Sequence, residues 1–131
     1  MKLISKQISK DGGRVALIAE DNEDLWTVFN LISVGDSVRS TTIRKVASES
    51  STGSVVTDKM RITLTIQVEA IDFDAQEPML RLKGRNIVEN EHVKMGAYHT
   101  LELELNRKFS LAKPGWDSVA TDLVCIKYQQ H

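Results

Sequence analysis

The chain has 131 residues, of which 41% are hydrophobic and 27% charged, a composition typical of one folded domain rather than of a disordered segment. Its 17 basic and 18 acidic residues give a net charge of −1, so any nucleic-acid binding must come from a local patch. One cysteine excludes a disulfide framework and a cysteine-cluster zinc site, and no apolar run reaches the roughly 18 residues of a membrane span.

The first elements are a hairpin and a helix. Two apolar segments, 3–8 and 14–19, flank Lys10-Asp11-Gly12-Gly13, a pattern that predicts a β-hairpin. Apolar residues at 25, 28, 29 and 32 then fall on one helical face. We expect Asp21 or Asn22 to cap this helix and Gly35 to end it.

Strands follow for most of the remaining chain. The composition of residues 36–46 favours a strand, and residues 46–58 are predicted to form an exposed loop. The strict alternation after Met60 predicts another strand. Its buried face is expected to carry Ile62, Leu64, Ile66 and Val68, and its more exposed face Thr63, Thr65 and Gln67. The phase slips near Ala70-Ile71, which indicates a bulge or a bend. Further strands are predicted around 80–85, 101–105 and 109–111, with an irregular segment at 86–96.

The fold predicted from these elements is mainly β: six or seven short strands, bent into a small barrel, with one helix after the second strand. Residues 1–113 are expected to form this domain. Residues 114–131 are expected to form a C-terminal helix or tail, since Pro114-Gly115-Trp116-Asp117-Ser118 can start a helix.

Basic residues on the strands are the first candidate site. Arg61 lies on the polar face of one strand and Arg81, Lys83 and Arg85 on that of the next, while Arg39, Arg44, Lys45 and Lys59 flank the exposed loop. Such a patch can neutralise phosphates, and the hydroxyl-rich loop with Gly53 can contact a nucleic-acid backbone. From charge alone, the more common explanation is favoured: the basic residues form a solvated face without a ligand, and the loop is an ordinary hairpin tip on the surface.

Other chemistry is poorly supported. Two acidic groups, Glu20 to Asp24 and Glu69 to Glu77, lack diagnostic metal-ligand spacing and are more simply a helix start and a turn. His92 and His99 have no matching cysteines, Cys125 has no nucleophile signature, and no nucleophile-elbow motif occurs. Trp26 and Phe29 have the spacing of core residues. We therefore expect no catalytic residue, metal or cofactor.

Several longer stretches resemble the N-terminal domain of the Pelota family, ribosome-rescue factors related to class I translation termination factors. The stretches that carry the resemblance are residues 23–26, 29–31, 34–38, 42–46, 49–54, 68–74, 82–87 and 89–103. The resemblance covers residues 1 to about 120, and we expect the chain to depart from the family after that point.

The resemblance implies an Sm-like β-barrel in a cytoplasmic protein of mRNA surveillance, acting in no-go and non-stop decay and ribosome rescue. Such a domain enters the empty decoding site of a stalled small ribosomal subunit, where it meets rRNA and mRNA. An elongation-factor-like translational GTPase and a recycling ATPase are partners of the full-length family protein. Two alternatives stay open: a metal-dependent endoribonuclease built on the acidic groups, and a protein-docking module without RNA binding.

The basic strand faces and the resemblance together define the expected site for RNA and ribosome binding. Its residues are Arg39, Arg44, Lys45, Glu49, Ser50, Ser51, Thr52, Gly53, Ser54, Lys59, Arg61, Arg85, Asn86, Lys94 and His99.

Overall fold

The computed structural model describes residues 1–9, 12–49, 55–74, 76–77, 79–89 and 93–129, without the side chains of residues 9, 42–49, 55–60 and 125–129. Its elements in chain order are β1 (Lys2–Ser9), β2 (Gly12–Ile18), α1 (Asn22–Leu31), β3 (Ser37–Glu49), β4 (Val55–Asp74), β5 (Met79–Asn86), β6 (Tyr98–Glu104), β7 (Lys108–Lys113) and α2 (Ser118–Gln129).

The strands form one antiparallel sheet of seven in the order β1-β2-β7-β3-β4-β5-β6. The mainly β prediction is therefore confirmed, as is the β1–β2 hairpin. Over the described ranges no ladder joins β1 to β6, so the sheet is open rather than a closed barrel. It is nevertheless strongly curved, because β6 comes against β3 although two strands lie between them.

The alternation predicted for β4 is confirmed. Ile62, Leu64, Ile66 and Val68 are buried in the core, whereas Gln67 is exposed. The expected bulge is also present, as a register shift between Val68 and Ala70 against β5. A bulge bends the strand and increases its twist, which lets a strand of 20 residues curve around a small core.

The loop predicted for residues 46–58 is wrong in extent. The β3–β4 ladder continues from Ser37↔Gln67 to Glu49↔Val55, so only residues 50–54 remain between the strands, and these lie outside the described residues. Only residues 37–40 of β3 also pair with β7, and the β4–β5 ladder begins at Ile66. Residues 41–49 and their partners 55–63 therefore form a two-stranded ribbon.

Helix α1 begins as expected and ends earlier than expected. The side chain of Asp21 accepts a hydrogen bond from the Asp24 amide at 2.8 Å and caps the helix. The helix ends at Leu31 with Ile32 as its C-cap, so Gly35 does not end it. Gly35 instead adopts φ +98° and donates its amide to Val68 O at 2.8 Å, which ties the turn after α1 to the bulge region of β4.

One core fills the concave side of the sheet. It contains β-strand residues together with Leu25, Val28 and Leu31 of α1 and Ala120 and Val124 of α2. Helix α2 agrees with the helix start expected near Ser118. No helix in the described part of the chain is long and apolar enough to span a membrane.

Candidate nucleic-acid interface

The convex face of the central strands carries aligned polar side chains. The register sets Arg39 of β3 opposite Thr65 of β4 and Ser110 of β7, and Thr41 opposite Thr63. Because side chains alternate along a strand, Arg39 and Thr41 leave the sheet on the side away from the buried Val38. Strand pairing thus gathers residues from distant parts of the sequence on one surface.

A groove of about 520 Å³ crosses this surface over β3, β4 and β7. Among the described residues that line it, four are cationic: Arg39, Arg61, Arg107 and Lys108. The hydroxyl-bearing residues Ser40, Thr41, Thr63 and Ser110 also line it, together with Phe109. The groove combines positive charge with hydroxyl groups, which is the chemistry that contacts phosphate oxygens.

The positive charge of the groove is only partly balanced. The guanidinium of Arg107 lies 3.3 Å from a carboxylate oxygen of Glu104. Arg39 and Arg61 make no ion pair with any carboxylate in the described part of the chain. An anion in the groove would therefore meet two guanidinium groups that no described carboxylate neutralises.

The floor of the groove is held by packing and hydrogen bonds. Phe109 is buried in the core, and the hydroxyl of Ser40 donates to Lys108 O at 3.4 Å, which links β3 to the start of β7. On the surface, the hydroxyls of Thr41 and Thr63 lie 3.2 Å apart and form a hydrogen bond across β3 and β4. These contacts fix the strands that carry the cationic side chains.

A second basic area lies across β5 and β6. Arg85 Nε donates to Tyr98 Oη at 2.9 Å, and Arg85 Cζ lies 5.0 Å from the centre of the tyrosine ring. The hydrogen bond to Tyr98 raises the pKa of the Arg85 guanidinium above its ordinary value. Arg85 is not among the described residues that line the groove with Arg39 and Arg61.

Three further basic residues of the predicted site, Arg44, Lys45 and Lys59, lie on the β3–β4 ribbon. In the ladder Arg44 is opposite Met60, and Lys45 is opposite Lys59. Glu49 is the last residue of β3. The side chains of these residues, and all of Ser50, Ser51, Thr52, Gly53 and Ser54, lie outside the described residues, so their predicted contacts stay predictions.

Asn86, Lys94 and His99 are placed differently from one another. Asn86 is 1% exposed, and its side-chain amide donates to Val88 O at 2.8 Å and Lys94 O at 3.1 Å. It therefore holds the segment after β5 in place rather than presenting an amide to the surface, and we leave it out of the proposed site. Lys94 is exposed and His99 is half-buried.

The acidic groups have structural partners. Asp21 caps α1, Asp24 lies 2.6 Å from the amino group of Met1, and Asp74 accepts the amides of Gln76 and Glu77. No cluster of ligand-type side chains that could hold a metal ion occurs among the described residues.

The expectation that Trp26 and Phe29 are core residues holds only in part. Phe29 is partly buried against the core, but Trp26 is 52% exposed. The two rings are stacked with centroids 5.4 Å apart, and Phe73 of β4 completes a cluster with them.

Sequence reasoning missed four surface residues: Arg107, Lys108, Ser110 and Tyr98. The signal that finds Lys108 and Ser110 is their alternation with the buried Phe109 and Leu111, which assigns them to the polar face of β7. Their position beside Arg39 follows only from the β3–β7 pairing.

Residues 1–126 match the family model described as the Pelota N-terminal domain. The chain belongs to this family. It is 60% identical over 125 residues to protein pelota of Drosophila melanogaster and 61% identical to the pelota homologue of Danio rerio. In both cases the match covers 95% of this chain and 32% of the relative, so the chain spans about a third of their length.

Solved structures of the Pelota family have the same fold. Archaeoglobus fulgidus Pelota matches with a TM-score of 0.75 at 23% identity, over 99% of this chain and 33% of that chain. Dom34 of S. cerevisiae, described as a translation termination-like factor in RNA quality control that interacts with Hbs1, matches with a TM-score of 0.75 at 26% identity, over 98% and 33%. An archaeal Pelota in a ribosome-bound model with ABCE1 matches with a TM-score of 0.72 at 28% identity, over 95% and 35%.

Proposed function

We propose that this chain is a non-catalytic RNA- and ribosome-binding domain that recognises the empty decoding site of a stalled small ribosomal subunit. The observation that carries the proposal is the groove over β3, β4 and β7, in which Arg39 and Arg61 are exposed without a described carboxylate partner. A ribosomal decoding site is built mainly of RNA, whose phosphates would supply the missing negative charge.

The groove favours backbone contact over the reading of bases. Phe109, the one aromatic residue among the described residues that line it, is buried beneath the surface and cannot stack on a base. Guanidinium, ammonium and hydroxyl groups bind phosphate and sugar oxygens in any sequence. This suits a factor that must act on ribosomes stalled at any position of a message.

The β3–β4 ribbon supports recognition of an empty site. Residues 41–49 pair only with β4 over the described residues, so this part of the ladder extends beyond the rest of the sheet. A ribbon of two strands is narrow enough to enter a groove or channel of nucleic acid. Arg44, Lys45 and Lys59 lie on it, and we propose that it reaches towards the messenger RNA.

The relatives support the wider biological setting. Because Dom34 is described in RNA quality control with Hbs1, and an archaeal Pelota with the ribosome and ABCE1, we extend these roles to this protein. It would act in the cytoplasm in no-go and non-stop mRNA decay, with a translational GTPase and a recycling ATPase as partners. In this proposal the open, strongly curved sheet corresponds to the Sm-like fold of the family without closing into a barrel, and RNA is bound rather than cleaved.

Co-sedimentation with ribosomes tests this function. Wild-type chain is mixed with ribosomes whose decoding site is either empty or filled by a cognate tRNA, and the bound fraction is measured. We expect preferential binding to the empty site, strong loss with Arg39→Glu, and little change with Lys2→Glu, which makes the same charge change on the edge strand β1.

Equal binding to empty and filled ribosomes would contradict decoding-site recognition. Equal losses in Arg39→Glu and Lys2→Glu would show that only total charge matters. Magnesium-dependent shortening of the bound message, followed on a gel, would contradict the non-catalytic part of the proposal.

A further inference from the structure

Tyr98 presents an aromatic ring at the edge of the sheet. It is the first residue of β6, the last strand in the sheet order, and its side chain is 64% exposed. Neighbouring Leu101 and Leu103 are buried, so the core does not need this ring. An exposed ring that the core does not use is available to a ligand.

The ring is held in a defined orientation by Arg85. The two residues are opposite each other in the β5–β6 ladder, Arg85 Nε donates to Tyr98 Oη at 2.9 Å, and the guanidinium carbon is 5.0 Å from the ring centre. A cation beside an aromatic ring is attracted to its π-electrons. The ring is therefore ordered before any ligand arrives, which reduces the entropy lost on binding.

The surroundings of the ring are basic and shallow. Lys83, Tyr98, His99 and Thr100 line an open depression, and Lys83 and Arg85 are both exposed. A shallow surface of this kind suits a flat group that lies on it rather than a ligand that must be enclosed. Cations next to an aromatic ring are the combination by which proteins hold single-stranded nucleic acid.

This area is continuous with the groove. Arg85 is opposite Gln67 on β4, and Arg39 is opposite Thr65, two residues earlier on the same strand. With strands about 4.8 Å apart and about 3.3 Å per residue, the Cα atoms of Arg39 and Arg85 are about 12 Å apart. One RNA strand can therefore contact both areas.

We propose that Tyr98 stacks on an unpaired RNA base, while Arg85 and Lys83 contact phosphates that flank it. This site deepens the proposed function and rests on it, because the groove supplies affinity for any RNA backbone whereas the ring selects RNA with an unstacked base. Double-stranded RNA keeps its bases stacked and offers none to Tyr98.

The test compares one RNA sequence as a single strand and as a duplex, with 2-aminopurine at one position as a fluorescent base. Affinity and fluorescence quenching are measured at low salt for wild type, Tyr98→Leu and Tyr98→Phe. The control is Trp26→Leu, which removes another half-exposed ring, on α1. Thermal unfolding by circular dichroism verifies that each variant is folded.

We expect Tyr98→Leu to bind the single strand about tenfold more weakly and the duplex within about twofold of wild type. Quenching should be lost in Tyr98→Leu and largely retained in Tyr98→Phe, which keeps the ring. Trp26→Leu should bind both RNAs like wild type.

Several results would overturn the stacking site. Unchanged binding by Tyr98→Leu would do so, as would equal losses on single strand and duplex, or a loss in Tyr98→Phe as large as that in Tyr98→Leu. A poly-glutamate peptide that binds with the same dependence on Tyr98 would reassign the surface to an acidic protein. If wild type binds neither RNA, the proposed function fails with it; if wild type binds and Tyr98→Leu is unchanged, only the stacking site fails.

Discussion

The ammonium of Lys113 lies 2.6 Å from Asp36 Oδ2, and both side chains are buried. Lys113 ends β7 and Asp36 immediately precedes β3, so the ion pair joins two strands that are far apart in the sequence. Asp36 Oδ2 also accepts the Ser33 amide at 2.8 Å, and Asp36 O accepts the Val68 amide at 2.8 Å. The pair therefore sets where β3 starts, and with it the position of Arg39 in the groove.

Removing the charge of Asp36 should destabilise the fold. Asp36→Asn leaves the Lys113 ammonium buried without its carboxylate, and we expect a loss of about 3–5 kcal/mol in unfolding free energy, measured by urea denaturation. Glu104→Gln, which removes one partner of the exposed pair with Arg107, is the control and should cost about 1 kcal/mol or less. Equal losses in the two variants would contradict the structural role of the Asp36–Lys113 pair.

The burial pattern of β4 predicts a contrast between neighbouring positions. Leu64 is fully buried, so Leu64→Ala should lower the unfolding free energy by about 2–5 kcal/mol through lost apolar contacts and the cavity left behind. Gln67 is exposed, and Gln67→Ala should change the unfolding free energy by less than about 0.5 kcal/mol. A similar small effect at both positions would mean that the faces of β4 are reversed.

Gly84 is required by the close approach of β4 and β5. A Cβ at this position would lie 1.9 Å from the carbonyl oxygen of Gln67, so Gly84→Ala must displace backbone. We expect a loss of about 1–3 kcal/mol in unfolding free energy. Gly115→Ala, where a Cβ meets nothing within 4 Å, should be neutral or stabilise by up to about 1 kcal/mol, and a cost there as large as at Gly84 would contradict the steric explanation.

The contribution of the β4–β5 turn to the stability of the fold should depend on pH through the carboxyl group of Asp74. The backbone amides of Glu77 and Gln76 donate to its carboxylate, and with the nearby Arg81 they lower its pKa below the ordinary value. A carboxyl with a lower pKa in the folded state stabilises the fold above its unfolded pKa of about 3.9 and loses that contribution as pH falls through the folded pKa.

Carbon-detected NMR titration of the Asp74 carboxyl should therefore give a midpoint below that of an unfolded peptide. The difference in unfolding free energy between wild type and Asp74→Asn should be present at neutral pH and vanish at acidic pH. A midpoint equal to the peptide value, or a difference that grows on acidification, would contradict these hydrogen bonds.

Most of the fold could be predicted from local sequence patterns. The alternation around Leu64 identified β4 and its buried face, and the phase slip near Ala70 identified the bulge. The end of α1 was misplaced because Gly35 looked like a helix stop, whereas its positive φ serves a turn that pairs with Val68. The predicted third strand is too short because the small polar residues at its end look like a loop in the sequence alone. The structure pairs them with β4 as far as Glu49.

The site was harder to predict because it depends on strand order. Arg39 and Arg61 were identified from their charge, but the β3–β7 pairing that adds Lys108 and Ser110 joins residues about 70 positions apart. Burial also separates residues that look equivalent in the sequence: Arg85 is exposed beside Tyr98, while the adjacent Asn86 is buried and bonded to backbone carbonyls.

The salt dependence of ribosome binding tests most directly whether the groove holds RNA phosphates. Affinity for ribosomes with an empty decoding site is measured from low to physiological salt for wild type, Arg39→Gln, Arg61→Gln and the edge-strand control Lys2→Gln. Each groove variant should bind more weakly, with a slope of log affinity against log salt flatter by about one, while Lys2→Gln follows wild type. Groove variants whose affinity and slope equal those of wild type would contradict a phosphate-binding groove.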